Sequence, residues 1–148
     1  MNTSFTHQNT DLMPSRILHT MIRVNSLERS ITFYRDALGM SEIRREDYPE
    51  GRFTLSFMGY SEDPRGSTIE LTYNYDTVEF THGSGFGHIA VAVSDIDATC
   101  ERLSGMDVKI IRCPGPMAYT TTNGQRDVIA FICDPDGYQI ELISTQKP

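Results

Sequence analysis

The chain has 148 residues, a formal net charge of −7 and a pI near 5.0. That length holds one ordinary domain or two half-modules sharing a core, and the acidic balance argues against electrostatic capture of nucleic acid or anionic lipid. Apolar runs stop far short of the ~20 residues that cross a bilayer, and no basic stretch leads into an apolar one at the N-terminus. A soluble, unexported, cytoplasmic protein with a small partner is expected.

Met1 to Arg16 is polar, without a hydrophobic period, and reads as a flexible arm (residues 1–16) that carries His7. Ile17 to Val24 reads as a strand. Asn25 with Glu28 three residues on is a capping-box-like start for a helix ending before Gly39, with Leu27, Ile31, Tyr34 and Leu38 as its buried stripe. Met40 to Glu46, Phe53 to Tyr60 and Ser67 to Tyr75 follow as strands, separated by turn chemistry at Pro49-Glu50-Gly51 and Asp63-Pro64-Arg65-Gly66. Residues 17–75 are thus expected to form a βαβββ module.

Residues 76–85, containing His82-Gly83-Ser84-Gly85, read as a linker, and the order then repeats over residues 86–148. A strand from Phe86 to Val93 leads to a helix capped by Ser94, running to Leu103 and stopped by Gly105. Strands follow at Val108 to Arg112, Asp127 to Cys133 and Tyr138 to Ser144, with a long loop over 115–126 between the first two. The fold class expected is α+β, two tandem βαβββ modules whose curved half-barrel sheets bury their apolar faces together, within one chain or across a dimer.

The duplication is written in the residues themselves. Asp63-Pro64-Arg65-Gly66-Ser67-Thr68-Ile69-Glu70-Leu71 recurs 71 residues later as Asp134-Pro135-Asp136-Gly137-Tyr138-Gln139-Ile140-Glu141-Leu142. At an offset of 69, His19 answers to His88 and Val24 to Val93. Each half therefore carries one His near its start and one Glu near its end. The three cysteines lack CxxC spacing and give no disulfide framework; Cys100 and Cys133 read as core filler and Cys113 as an exposed thiol before a Pro-Gly-Pro loop.

Residues two apart on a strand share a face, so His19, Met21 and Arg23 point together, as do Glu70, Thr72 and Asn74, and His88, Ala90 and Ala92. A lone His on an apolar strand is more often a rim residue than a ligand. A Glu inside an Ile-Glu-Leu strand, facing inward, must be paired, protonated or metal-bound. Two such pairs in repeat-equivalent places make His19, Glu70, His88 and Glu141 candidate ligands of one divalent metal. Two imidazoles and two carboxylates can leave open positions for chelating two adjacent substrate oxygens, which is Lewis-acid catalysis of an enolisation. The ligand types alone leave nickel, cobalt, zinc, manganese and iron open.

Ile17-Leu18-His19-Thr20-Met21-Ile22-Arg23-Val24, Phe33-Tyr34-Arg35-Asp36-Ala37-Leu38-Gly39-Met40, Ile69-Glu70-Leu71-Thr72-Tyr73-Asn74, Phe86-Gly87-His88-Ile89-Ala90 and Ala130-Phe131-Ile132-Cys133-Asp134-Pro135-Asp136-Gly137-Tyr138 resemble glyoxalase I (lactoylglutathione lyase) of the vicinal oxygen chelate superfamily. The resemblance covers about Ile17 to Ile143. It implies a homodimer with sites at the subunit interface, His19 and Glu70 coming from one subunit and His88 and Glu141 from the other. It also implies isomerisation of the hemithioacetal of methylglyoxal and glutathione to S-lactoylglutathione, with proton transfer through an enediolate. By similarity Glu141 is the base and Glu70 its counterpart, both catalytic.

Arg23 and Asn74 match family positions that hold the γ-glutamyl end of glutathione. The chain departs from the family in the 115–126 loop, where Ala118 stands in place of a lysine and Arg126 is the nearest basic substitute for contact with the glycine carboxylate. Ser84 stands where animal-type relatives carry arginine, so the thiol is open to variation. His19, where animal zinc-type enzymes carry glutamine, and the short Phe57 to Ile69 connection resemble the bacterial nickel- or cobalt-activated class, which makes Ni2+ the expected activator with Co2+ or Zn2+ as alternatives. The competing readings are another metal-dependent enzyme of the superfamily, such as a methylmalonyl-CoA epimerase or a thiol transferase, and a metal-free ligand-sequestering module.

Overall fold

The structure is a computed structural model that describes residues 12–60, 65–77 and 79–146. Most of the expected N-terminal arm, with His7, and the Asp63-Pro64 half of the first repeated turn lie outside the described residues. The first module comprises β1 (His19–Arg23), α1 (Leu27–Thr32) continued by a π-helical turn (Phe33–Ala37), β2 (Ser41–Tyr48), β3 (Phe53–Gly59) and β4 (Thr68–Asn74). The second comprises β5 (Ile89–Val93), α2 (Ile96–Gly105), β6 (Ile110–Pro116), β7 (Val128–Cys133) and β8 (Gln139–Ser144). Each module folds into its own four-stranded sheet, ordered β1-β4-β3-β2 and β5-β8-β7-β6. The first and last strands of each module pair in parallel and the rest are antiparallel, so the two expected βαβββ units are present.

Several boundaries differ from expectation for local reasons. The cap of α1 is Ser26, whose Oγ accepts from the Arg29 N–H at 3.4 Å, one residue later than Asn25. Glu28 is then placed to pair with Arg45 at 2.8 Å instead of closing a capping box. In α2 the cap is Asp95, not Ser94, and its carboxylate accepts from the Ala98 N–H at 3.0 Å. The π-helical turn at the end of α1 shifts the phase of the buried stripe. Leu27, Ile31 and Tyr34 are buried as expected, but Ala37 and Met40 fill the last positions and Leu38 is only half-buried. Strand β6 starts later than expected and continues through Pro114-Gly115-Pro116, which an edge strand with register shifts tolerates.

One core serves both modules. Ile22, Leu27, Ile31 and Leu71 of the first pack in the same buried cluster as Ile96, Leu103, Ile140 and Leu142 of the second. At about 25 cal/mol per Å² of apolar surface removed from water, each of these side chains contributes roughly 1.5–3 kcal/mol. Polar contacts tie the second copy of the repeated turn to the first helix. The Tyr34 hydroxyl donates to Asp134 at 2.8 Å, and Asp134 also accepts from the backbone N–H groups of Asp136 and Tyr138, both at 2.9 Å. Burial, the largest influence, pushes the Asp134 carboxyl above the usual carboxylate range despite these donors. From α2, Arg102 donates to the Ala37 carbonyl at 2.6 Å.

Because the helices cover one face of each sheet, strand alternation sends every second residue to the opposite, open face. Ile22, Ile69 and Leu71 are buried on the helix side, while Met21 and Arg23 are exposed on the open side. Cys100 is buried, Cys133 half-buried and Cys113 exposed, each a free thiol. Among the described residues no helix is long and apolar enough to cross a membrane.

Candidate metal and thiol site

On the open face of the first sheet, β1 brings His19 to Glu70 on β4, with Nε2 and Oε2 2.6 Å apart. The second sheet repeats this, His88, immediately before β5, lying against Glu141 on β8 with the same atoms 2.8 Å apart. Exposure follows the duplication too, since the side chains of His19 and His88 are 37% and 41% exposed and both glutamates 12%. In each half the carboxylate is sunk and the imidazole stands at the surface beside it.

A third residue completes each half. Phe57 lies opposite Glu70 in the β3–β4 register and meets the His19 ring edge-on, with centroids 5.5 Å apart. Phe131 lies opposite Glu141 and meets His88 in the same way at 5.3 Å. The rings wall one side of each pair and restrict how the imidazole can turn. Sequence reasoning missed both, because they are 74 residues apart and so fall outside the 69 and 71 offsets that reveal the His and Glu pairs. The usable signal was an aromatic on the strand before each Ile-Glu-Leu strand.

The two pairs remain separate within a chain. Among the described residues no three His, Cys, Asp or Glu side chains come together as a group that could hold a metal ion. Each chain thus presents two half-sets, each of one imidazole nitrogen and one carboxylate oxygen. These are hard-to-borderline donors of the kind a divalent cation takes.

Arg23 and Asn74 meet at the far end of the first sheet's open face, where the guanidinium Nη1 donates to Asn74 Oδ1 at 2.6 Å. The backbone of Arg23 is held from the second module, its carbonyl accepting from the Tyr138 hydroxyl at 2.8 Å. His82 of the linker stacks on the Tyr138 ring at 4.0 Å between centroids, and Phe86 meets that ring edge-on. Arg23, Glu79, Phe80, His82, Phe86 and Tyr138 line a hollow of about 490 Å³. Arg126 is elsewhere, on a hollow of about 410 Å³ with Thr120, Gln125, Asp127, Ser144 and Gln146, and that lining includes neither Arg23 nor Asn74.

Residues 16–142 match the family described as the Glyoxalase/Bleomycin resistance protein/Dioxygenase superfamily. The chain belongs to that superfamily. A protein named probable lactoylglutathione lyase from a Synechocystis species is 51% identical over 131 residues, which cover 88% of this chain and 96% of that relative. The trypanothione-dependent glyoxalase I of Leishmania major is 41% identical with a TM-score of 0.73, over 88% of this chain and 87% of that one. Glyoxalase I of Zea mays superposes with a TM-score of 0.77 at 38% identity, over 89% of this chain but only 45% of the maize chain. This chain therefore spans about half the length of the maize protein.

Proposed function

We propose that the chain is a lactoylglutathione lyase, which isomerises the hemithioacetal of methylglyoxal and glutathione to S-lactoylglutathione. The observation that carries this reading is the duplicated His–Glu–Phe arrangement on two open sheet faces, in a chain 51% identical to a relative of that name. The reading joins His19 and Glu70 of one copy to His88 and Glu141 of another around one divalent cation, in a homodimer with its sites at the interface. Two features support the pairing: each chain holds the donors as two separate halves, and the maize relative is about twice this chain's length. Glutathione lies along the first sheet with its γ-glutamyl end at Arg23 and Asn74, and Arg126 is assigned to its glycine carboxylate.

A bound divalent cation supplies the Lewis acidity that makes the substrate C–H beside the carbonyl removable. The chain's residues do the rest. Glu141 takes the proton from one carbon, holds it while the substrate passes through its enediolate, and returns it to the neighbouring carbon. Glu70, in the equivalent place on the other half, faces the opposite side of the substrate. Phe57 and Phe131 keep water from one side of each carboxylate, and Arg23 anchors the thiol so that the reacting carbon stays within reach of Glu141.

Nickel is the proposed activator, with cobalt or zinc as the alternatives, in a cytoplasmic setting. The test strips the metal, adds back each cation and follows thioester absorbance with methylglyoxal and glutathione. Strongest recovery with nickel is expected. Stronger recovery with zinc would overturn the metal assignment, and turnover with trypanothione but not glutathione would overturn the thiol.

A further inference from the structure

We propose that Glu79 is a specificity residue that reads the α-ammonium group of the γ-glutamyl end of the thiol, opposite Arg23. The inference rests on the reading above that Arg23 and Asn74 hold this end. A γ-glutamyl group ends in a free α-amino acid, whose carboxylate and ammonium are attached to one carbon. A site for it therefore needs a cation and an anion facing one small space.

The hollow at the end of the first sheet supplies both. Among the described residues its lining contains one arginine, Arg23, and one carboxylate, Glu79, within about 490 Å³. Neither charge is spent on the other: Arg23 donates to Asn74, a neutral acceptor, and Glu79 takes part in no ion pair among the described residues. A guanidinium with spare donors accepts a carboxylate in forked geometry, and an open carboxylate accepts from an ammonium.

The walls are fixed by contacts that leave these two charges free. Tyr138 is buried and donates to the Arg23 carbonyl, which holds the β1 backbone without occupying the guanidinium. The linker that carries Glu79 is held to the same residue by His82, stacked within 9° of parallel on the Tyr138 ring, and by Phe86 at its edge. Tyr138 thus sets both the strand bearing the cation and the segment bearing the anion. Phe80 and Met21 add apolar surface for the methylene groups of the γ-glutamyl chain.

The experiment measures binding without turnover, by titration calorimetry of the metal-loaded protein. The probes are S-hexylglutathione and its glutaryl analogue, in which hydrogen replaces the α-amino group. The wild-type chain is expected to bind S-hexylglutathione about tenfold more tightly than the analogue, as loss of one charged hydrogen bond implies. Glu79→Gln, an isosteric change at an exposed position, is expected to bring the two affinities together by weakening only the amino-bearing probe. Preference for the amino group undiminished in Glu79→Gln would overturn the role of Glu79 while leaving the glutathione reading intact. Failure of the wild-type chain to bind S-hexylglutathione at all would overturn that reading and the inference with it.

Discussion

The two sheets carry the same pair of donors but differ in nearly everything around them. Beside His19 the open face continues with Met21 and Arg23, whereas beside His88 it continues with Ala90 and Ala92. Beyond Glu70 come Thr72 and Asn74; beyond Glu141 come Ile143 and Thr145, the last of which donates its N–H and its hydroxyl to the Val93 carbonyl. The strand-edge arginines diverge as well. Arg44 lies over the Phe57 ring at 3.9 Å, while Arg112, opposite Phe131, donates to the carbonyls of Gly115, Ile129 and Pro116. Both halves keep the His–Glu–Phe element, but the open face of the first sheet continues with long and polar side chains and that of the second with small ones. On the proposed reading, the first half recognises the thiol and the second holds the base.

That division gives unequal consequences for equivalent changes. Glu141→Gln removes the proposed base and is expected to lower kcat by about 10²–10⁴, measured as thioester formation at fixed nickel content, with a smaller loss for Glu70→Gln. Equal losses from the two would mean that the halves share the chemistry evenly. Arg23→Ala is expected to raise KM for the hemithioacetal by about 10- to 100-fold with kcat changed much less, because it removes a charged hydrogen bond distant from the reacting carbon. Substituting its repeat counterpart, Ala92→Ser, should leave KM within about twofold; a KM effect as large as that of Arg23→Ala would erase the distinction between the faces.

The smaller effects concern the contact between the halves. Tyr34→Phe takes one donor from the buried Asp134 carboxylate, and about 2 kcal/mol of stability is expected to go with it, read as a thermal midpoint lower by several degrees. Smallest is a pH effect. Because burial holds the Asp134 carboxyl above its ordinary range, the folded chain binds that proton more tightly than the unfolded one. Its contribution to stability is fully present below the unfolded pKa and is lost as pH rises through the raised folded value. Asp134→Asn, which retains an acceptor for the two backbone N–H groups, should flatten denaturation midpoints across that range; an unchanged pH slope would contradict the assignment.

Strand order and the His–Glu pairs were legible because they rest on short-range signals: alternation, Asp-Pro-x-Gly turns and a repeat at a nearly constant offset. The features that escaped depend on tertiary contacts or on unequal loops. Phe57 and Phe131 occupy equivalent places in space, but the connections between them and the glutamates differ in length, so no constant offset links them. Asn25 and Ser26 are both competent helix caps, as are Ser94 and Asp95, and only the backbone path chooses between neighbours. The late end of β6 was hidden by its prolines, which argue against a central strand and are harmless on the edge that β6 occupies. Tyr138 gave no hint of its role, since its partner Arg23 is in the other half of the chain.

The central claim is that a working site joins the first half of one chain to the second half of another. Two inactive proteins test it directly, one with His19→Ala and Glu70→Ala, the other with His88→Ala and Glu141→Ala. Mixed, unfolded and refolded together, they should regain about a quarter of wild-type activity per chain, because half of the random dimers carry one intact site of two. A mixture as inactive as either parent would contradict the account.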